Sequence, residues 1–82
     1  MVKVKKKDGR IEEFMEAKII KGCEKAGASV KEAAKVAEGV ALKVTRFTIV
    51  TTDEIAKAVV DSLEKINEKA AESYKNFRKQ KK

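Results

Sequence analysis

The chain has 82 residues, a formal net charge of +7, one Cys, and no His, Trp or Pro. This length predicts a single domain over residues 1–82, which buries only about 60–65% of the surface that its unfolded chain exposes. Without His there is no Ser-His or Cys-His catalysis, and one Cys cannot hold a zinc or iron–sulfur site. We therefore expect a protein that is not an enzyme, with a shallow surface site or one shared with a partner.

The cysteine content and the apolar runs predict the compartment. Cys23 has no second Cys to pair with, which is typical of a reducing compartment. The longest apolar runs are a few residues, far short of a membrane span, and the charged N-terminus lacks the apolar core of a signal peptide. The sequence thus predicts a cytoplasmic protein without a membrane partner.

The positive charge lies at the two ends of the chain. Residues 1–10 carry five basic side chains and one acid, and residues 75–82 carry five basic side chains and no acid. The residues between carry ten bases and twelve acids. Two readings fit this pattern: solvated basic ends, with 79–82 as a frayed tail, or a binding site for an anion such as phosphate.

The first residues predict a β-hairpin. Apolar and polar residues alternate over 2–5, Asp8-Gly9 is a turn signal, and 11–14 forms the return strand. A two-residue turn would place Val4 opposite Glu13. A three-residue loop with Gly9 in a left-handed bulge places Val4 opposite Glu12 and Val2 opposite Phe14, and it brings Lys6, Arg10 and Glu12 to one side. The second register is favoured because it pairs two apolar side chains.

Two helices follow the hairpin. Apolar residues at helical spacing predict the first over about 15–26, with Gly27 as its stop and Cys23 on its buried stripe. The second starts at Ser29, which forms a capping box with Glu32. Its predicted buried stripe consists of Val30, Ala33, Ala34, Ala37, Val40, Ala41 and Val44.

The second half of the chain predicts a strand and one or two helices. The run 45–51 is rich in β-branched residues and predicts a third strand. Helix three follows at once, with a capping box from Thr51 to Glu54 and an apolar stripe of Ile55, Ala58, Val59, Ser62 and Leu63. Asn67 is a candidate cap for a fourth helix with a stripe of Ala70, Tyr74 and Phe77, although one continuous helix would also fit. The order is therefore ββ-α-α-β-α-α.

Several residues are candidates for an anion site. The hairpin tip is a cluster of cations, although lysines there also protect a strand edge from aggregation. Lys18 lies in the first turn of a helix, where a cation is unfavourable unless an anionic ligand binds there. Thr51 and Thr52 can share the capping of helix three, which leaves one hydroxyl to contact a ligand. The glycines are scattered and form no phosphate loop and no dinucleotide-binding loop.

Taken in order, these segments resemble the ATP-cone domain, the small allosteric module of many ribonucleotide reductases and of the transcriptional repressors of their genes. The resemblance runs from Val2 to about Lys79. VKKKDGRIEEF is close to the family's V-x-K-R-D-G-R-x-E-x-F opening, and Lys18-Ile19 matches its K-I. TTDEI matches S/T-x-E-E-I, and AAESYKNFRK matches A-x-x-Y-x-x-Y/F-R.

The resemblance implies an α+β fold, a four-helix bundle capped by a small three-stranded sheet. It also implies binding of ATP or dATP between sheet and helices, without hydrolysis, and control of a protein partner or of self-association. Mg²⁺ is expected to accompany the triphosphate, since the site is rich in cations and has only scattered carboxylates. The residues carried over are Val4 and Ile19 at the base, Lys6, Lys7 and Lys18 at the phosphates, Glu12 near the ribose or base, Thr52 at the start of helix three, and Arg78 or Lys79 closing the site.

Two departures from the family pattern bear on the site, and two other functions compete with it. Met15 replaces a polar residue common at the start of the first helix, and Ala56 lies where some members place a larger polar side chain. The net charge also fits a small basic nucleic-acid-binding protein, although no helix concentrates base-reading side chains on one face. The Ala-rich second helix would suit a plain oligomerisation module.

Overall fold

Three short strands and four helices follow the predicted order, and the computed structural model describes residues 2–80, with side chains described as far as residue 76. The strands come from both halves of the chain, and the fold is α+β. The elements are β1 (Lys3–Lys5), β2 (Ile11–Glu13), α1 (Glu16–Lys25), α2 (Val30–Val44), β3 (Ile49–Thr51), α3 (Thr52–Ile66) and α4 (Glu68–Gln80).

The hairpin adopts the favoured register. Val4 lies opposite Glu12, and the N–H of Phe14 donates to the carbonyl of Val2 at 3.4 Å. Gly9 has a φ of +92°, a left-handed value that glycine adopts without steric cost, so the three-residue loop closes through it. β3 then pairs in parallel with β1, which gives the strand order β2-β1-β3.

The sheet has one face on the helices and one face in solvent. Because side chains alternate along a strand, Val4, Val50 and Glu12 point to the same face as cross-strand neighbours. Val4 and Val50 are buried in the core cluster with residues of the helices, whereas Glu12 is half-buried at the edge. The inner face of β1 and β2 therefore carries both core and site residues.

The helix boundaries follow from local signals. Both predicted capping boxes are confirmed, from Ser29 to Glu32 and from Thr51 to Glu54. α1 ends at Lys25, and Gly27 follows it with a φ of +109°. The N–H of Ala28 donates to the carbonyl of Cys23 in a Schellman closure. α1 begins at Glu16, and its N-cap residue, Met15, makes no side-chain capping hydrogen bond.

The buried face of α2 differs from the predicted stripe. Val30 is 67% exposed and Ala34 is also exposed, so both assignments were wrong. The residues that enter the core are Ala33, Val36, Ala37, Val40 and Val44. Several helical phases fit an Ala-rich sequence, and packing between α1 and α3 selects the one that buries Val36. Ala56 of α3 is likewise buried, outside its predicted stripe.

Two other boundaries are corrected by the structure. β3 begins at Ile49 rather than at 45, because residues 45–46 form a turn after α2. α3 and α4 are separate helices: the side-chain carboxamide oxygen of Asn67 accepts from the N–H of Ala70 at 3.1 Å and starts α4. Phe77 of the predicted α4 stripe lies outside the described side chains. Across residues 2–80 there is no helix of the length and apolarity that a membrane crossing requires.

Candidate functional site

A pocket of about 220 Å³ opens between the inner face of the hairpin and the helices. The hairpin and its exit supply one wall, α1 the second, and α3 with Tyr74 of α4 the third. Its lining combines apolar side chains with a few charged groups, the composition typical of small-molecule sites. The lining residues are Val4, Lys6, Glu12, Glu13, Phe14, Met15, Lys18, Ile19, Thr52, Ile55, Ala56 and Tyr74.

Two lysines share one carboxylate at this pocket. Lys6 Nζ lies 3.1 Å from Glu12 Oε2, and Lys18 Nζ lies 3.3 Å from Glu12 Oε1. The hydrogen bond from Lys6, followed by that from Lys18, holds the pKa of the Glu12 carboxyl below its ordinary value. The cluster carries two positive charges and one negative charge, so it retains a net attraction for an anion.

A second groove of about 240 Å³ adjoins the pocket and shares Lys6 and Thr52 with it. It lies where the hairpin loop meets the first turn of α3. Its lining residues are Lys5, Lys6, Lys7, Thr51, Thr52 and Asp53. Three lysines, one carboxylate and the positive end of a helix dipole therefore lie together beside the pocket.

The helix starts at the site differ in how they are capped. Thr51 Oγ1 accepts from the N–H of Glu54 at 3.1 Å, so Thr51 performs the capping and the Thr52 side chain is left at the pocket. The N-cap residue of α1 is Met15, which lines the pocket and supplies no capping oxygen. The first-turn amides of α1 therefore lack the side-chain acceptor that α2 and α3 possess.

Most residues proposed from the sequence come together here. Six of them line the pocket and Lys7 lines the adjoining groove; the six are Val4, Lys6, Glu12, Lys18, Ile19 and Thr52. Arg78 and Lys79 lie outside the described side chains. Two other basic residues are engaged elsewhere: Arg10 pairs with Asp8 at 2.8 Å and Lys75 pairs with Glu64 at 2.9 Å.

The sequence reasoning missed four lining residues, Glu13, Phe14, Ile55 and Tyr74. Phe14 and Tyr74 are half-buried and pack against the core cluster. This packing agrees with the apolar periodicity, which assigned Tyr74 to the core. One side of an aromatic ring at the end of an apolar stripe can pack against the core while the other side lines a pocket. Met15 and Ala56, noted only as departures, also line the pocket.

The described part of the chain, residues 2–80, offers no group of three or more acidic or thiol side chains that could hold a metal ion. Cys23 is fully buried, and burial raises the pKa of its thiol to about 11, so it is an unreactive core residue.

Comparisons with known proteins show the family to which the chain belongs. A protein of Archaeoglobus fulgidus called "Uncharacterized protein" is 60% identical over 38 residues, which make up 46% of this chain and 81% of that relative. The model of one family, described as ATP cone domain, matches residues 2–82. The chain therefore belongs to the ATP-cone domain family, a family of nucleotide-binding regulatory modules.

Proposed function

We propose that this protein binds ATP or dATP in the pocket between sheet and helices, as an effector that it does not hydrolyse. Binding would control a protein partner, such as a ribonucleotide reductase or the machinery that transcribes its gene, or self-association. A regulatory ligand acts only by binding two states of the protein with different affinity. The proposal therefore requires a nucleotide-dependent change in what the module contacts.

One observation carries the proposal: a mostly apolar pocket shares two lining residues, Lys6 and Thr52, with a lysine-lined groove. The charged cluster of Lys6, Glu12 and Lys18 lies at the pocket, and Lys5 and Lys7 line the groove beyond it. A nucleoside triphosphate has the same division, with an apolar base at one end and about four negative charges at the other. The chain of cations would match those charges along the groove.

Each proposed residue has a role that its chemistry supports. Val4 and Ile19 would contact the base, since both are buried apolar side chains that line the pocket. Lys6, Lys7 and Lys18 would contact phosphates, and Glu12 would lie near the ribose or base. The remaining proposed residues are Thr52, at the start of α3, and Arg78, in α4.

The chemistry of the site favours binding without hydrolysis. No His is present in the chain to act as a general base, and the Glu12 carboxylate is engaged by both Lys6 and Lys18. Mg²⁺ would be carried by the phosphates, because the described residues offer no metal cluster of their own. Effector binding is consistent with this composition.

Thermal melting at fixed salt, with ATP, dATP, GTP or a DNA duplex, tests the proposal. A ligand present at 100 times its dissociation constant adds about 2.7 kcal/mol to the unfolding free energy. We expect that increase with ATP or dATP, and we expect phosphorus NMR to detect no release of phosphate during the incubation.

Stabilisation by the duplex alone, with binding that weakens steeply as salt rises, would support a nucleic-acid-binding protein and contradict the proposal. A melting temperature that depends only on protein concentration would support an oligomerisation module. Rapid phosphate release would contradict the non-hydrolytic part by itself.

A further inference from the structure

The segment where α2 passes into β3 carries a concentration of exposed apolar side chains. Seven large apolar residues are exposed in the described part of the chain, and three of them, Leu42, Phe47 and Ile49, lie within residues 42–49. Single exposed apolar side chains are ordinary, whereas a group of them marks an interaction surface. All residues of 42–49 except Val44 are exposed, and we call these exposed residues the α2–β3 corner.

Local hydrogen bonds hold the backbone of the corner. The Thr45 hydroxyl donates to the carbonyl of Leu42 at 2.8 Å. The N–H of Phe47 donates to the carbonyl of Val44 at 3.0 Å, which closes the turn after α2. The apolar side chains therefore project from a backbone that is already shaped, so a partner that binds them does not have to order the segment.

β3 is an edge strand of the three-stranded sheet, so one side of its backbone has no neighbouring strand among the described residues. The N–H of Lys3 donates to the carbonyl of Thr48 at 2.9 Å, and backbone groups alternate in direction along a strand. Those of Ile49, one residue further on, therefore point away from β1. An unpaired edge of this kind can pair with an extended segment of another chain.

The charge of the corner is positive. Residues 39–52 contain Lys43, Arg46 and no acid, although the whole chain has 13 acids in 82 residues. Both cations are exposed, and neither forms an ion pair among the side chains that the structure describes. Each is also next in sequence to an apolar residue of the corner, Leu42 or Phe47. The corner thus offers two unneutralised cations beside apolar side chains.

This chemistry discriminates between the possible occupants. A second copy of the chain is disfavoured, because a two-fold contact would bring Lys43 and Arg46 towards the same cations of the other copy. Nucleic acid is disfavoured too, since two cations are few beside the roughly six to ten phosphate contacts of such proteins, and aliphatic side chains do not bind phosphate. A protein segment with acidic and apolar side chains complements the corner in both respects.

We propose that the α2–β3 corner binds an extended, acidic and apolar segment of a partner protein, which pairs with the free edge of β3. The acids of that segment pair with Lys43 and Arg46, and its apolar side chains pack on Phe47 and Ile49. The inference rests on the proposed function, because it gives a surface and a chemistry to the protein partner that the module controls. Ile49 lies three residues before Thr52, which lines the pocket, so this partner contacts the strand that leads into the site.

Selection from random dodecapeptides displayed on phage, against the immobilised unmodified protein, shows what the corner binds. We expect the enriched peptides to combine several Asp or Glu residues with Val, Ile, Leu or Phe. The consensus peptide is then synthesised and titrated with the protein by fluorescence anisotropy. No enrichment, or enriched peptides without an excess of acids, would overturn the proposal.

The apolar part of the contact is tested at Phe47. Phe47→Ala should weaken binding of the consensus peptide about tenfold or more, since a few aromatic anchors dominate contacts of this kind. Val30→Ala is the matched control, because it removes an apolar side chain that is 67% exposed at the other end of α2. Equal affinities in the two variants would overturn the assignment of the peptide to the corner.

The charged part of the contact is tested by the double variant Lys43→Glu with Arg46→Glu. It should weaken binding of the consensus peptide about tenfold, because acids would then face acids. Lys31→Glu with Lys35→Glu makes the same change of charge at exposed positions of α2 outside the corner. Equal losses in the two double variants would mean that only the net charge of the protein matters, and would contradict a local contact.

Titration of ATP into the same variants separates this inference from the proposed function. Every corner variant should bind ATP within about twofold of the unmodified protein, because no residue of 42–49 lines the pocket. ATP binding without a peptide that depends on the corner would overturn the surface alone. Peptide binding that depends on the corner, without ATP binding, would support the surface and overturn the proposed function.

The other two occupants are measured directly. Binding of a DNA duplex, or dimerisation detected by sedimentation, should be the same in Phe47→Ala as in the unmodified protein. Loss of either in Phe47→Ala would assign the corner to nucleic acid or to a second copy of the chain, and would overturn the proposal.

Discussion

At the scale of single residues, Glu12 is the group on which the ligand-free site depends. It engages Lys6 and Lys18 at once, so a bound phosphate must compete with it for both lysines. All three side chains are at least one-third exposed, and exposed pairs of this kind contribute little to stability. The cluster therefore holds the lysines in place without making the fold depend on them.

Replacement of Glu12 tests this competition. Glu12→Gln removes the negative charge that engages the two lysines, so we expect tripolyphosphate to bind about two- to fivefold more tightly, as measured by calorimetry. ATP should gain less, because the proposed contact of Glu12 with the ribose or base is weakened. Glu38→Gln, on the exposed side of α2, makes the same charge change away from the site. Equal gains in the two variants would contradict a local competition.

The place of some residues in the pocket could be predicted from their sequence context, and that of others could not. Lys6, Lys18 and Thr52 could be proposed because their neighbours form motifs with fixed spacing, and the structure brings them to one pocket. The pocket position of Tyr74 could not be predicted, because its ring packs near Gly22 of α1, over fifty positions earlier in the chain. Contacts of that range leave no local pattern.

At the scale of elements, the junction of α3 and α4 is tied to the start of α2. Asn67 caps α4 through the N–H of Ala70, and its side-chain amide donates to Glu32 Oε1 at 3.1 Å. Glu32 also accepts from the N–H of Ser29 at 2.9 Å in the α2 capping box. Three helix termini are thereby held by one small hydrogen-bonded network.

Replacement of Asn67 should therefore lower the unfolding free energy more than replacement of an ordinary surface Asn does. We expect Asn67→Ala to lower the unfolding free energy by about 1 kcal/mol or more, which corresponds to roughly 4–8 °C in melting temperature. Asn76→Ala, at an exposed position of α4, is the control and should be close to neutral. A similar small effect in both variants would show that the network does not stabilise the junction.

The same network predicts a dependence on pH. The backbone N–H of Ser29, followed by the Asn67 amide, lowers the pKa of Glu32 from its ordinary value of 4.5. A carboxylate with a lowered pKa stabilises the fold above that ordinary value, and the contribution is lost as the pH falls through the folded-state pKa.

Glu32→Gln should thus be less stable than the unmodified protein at neutral pH. The difference should narrow as the pH is lowered below the ordinary glutamate value of 4.5. Denaturant unfolding across that range measures it. A difference that stays constant with pH would mean that the Glu32 charge makes no contribution.

The elements themselves were largely predictable, because turn and cap signals are local. Asp8-Gly9, Ser29 with Glu32 and Thr51 with Glu54 each set a boundary through neighbouring residues. The buried face of α2 was not predictable. Val30 and Val36 are both valines in an Ala-rich helix, so the sequence pattern does not show which of the two is buried. Only the positions of α1 and α3 decide between them.

At the scale of the whole molecule, Cys23 reports how often the core opens. Its side chain is fully buried, and burial raises the pKa of the thiol to about 11, so a thiol reagent reacts only after opening. ATP at 100 times its dissociation constant should slow labelling by about 100-fold, because it lowers the population of opened molecules by that factor. Labelling that is fast in the native protein, or unaffected by ATP, would contradict this coupling.

The fold shows where the positive charge of the N-terminal residues lies. The N-terminal hairpin places Lys5, Lys6 and Lys7 at the start of α3, where they line one groove. Of the C-terminal basic group, Lys75 is engaged by Glu64 on α3. The charge at the N-terminal end is therefore concentrated where the proposed phosphates bind, and a general affinity for polyanions is not needed to explain it.

The most direct test of the central claim is a calorimetric titration of ATP into the unmodified protein, Lys6→Ala and Lys35→Ala. Both variants lose one positive charge, but Lys35 lies on the exposed side of α2, which contributes no residue to the pocket. The account predicts saturable binding that weakens about tenfold or more in Lys6→Ala and stays within about twofold in Lys35→Ala. Absence of saturable binding, or equal affinity in all three proteins, would contradict it.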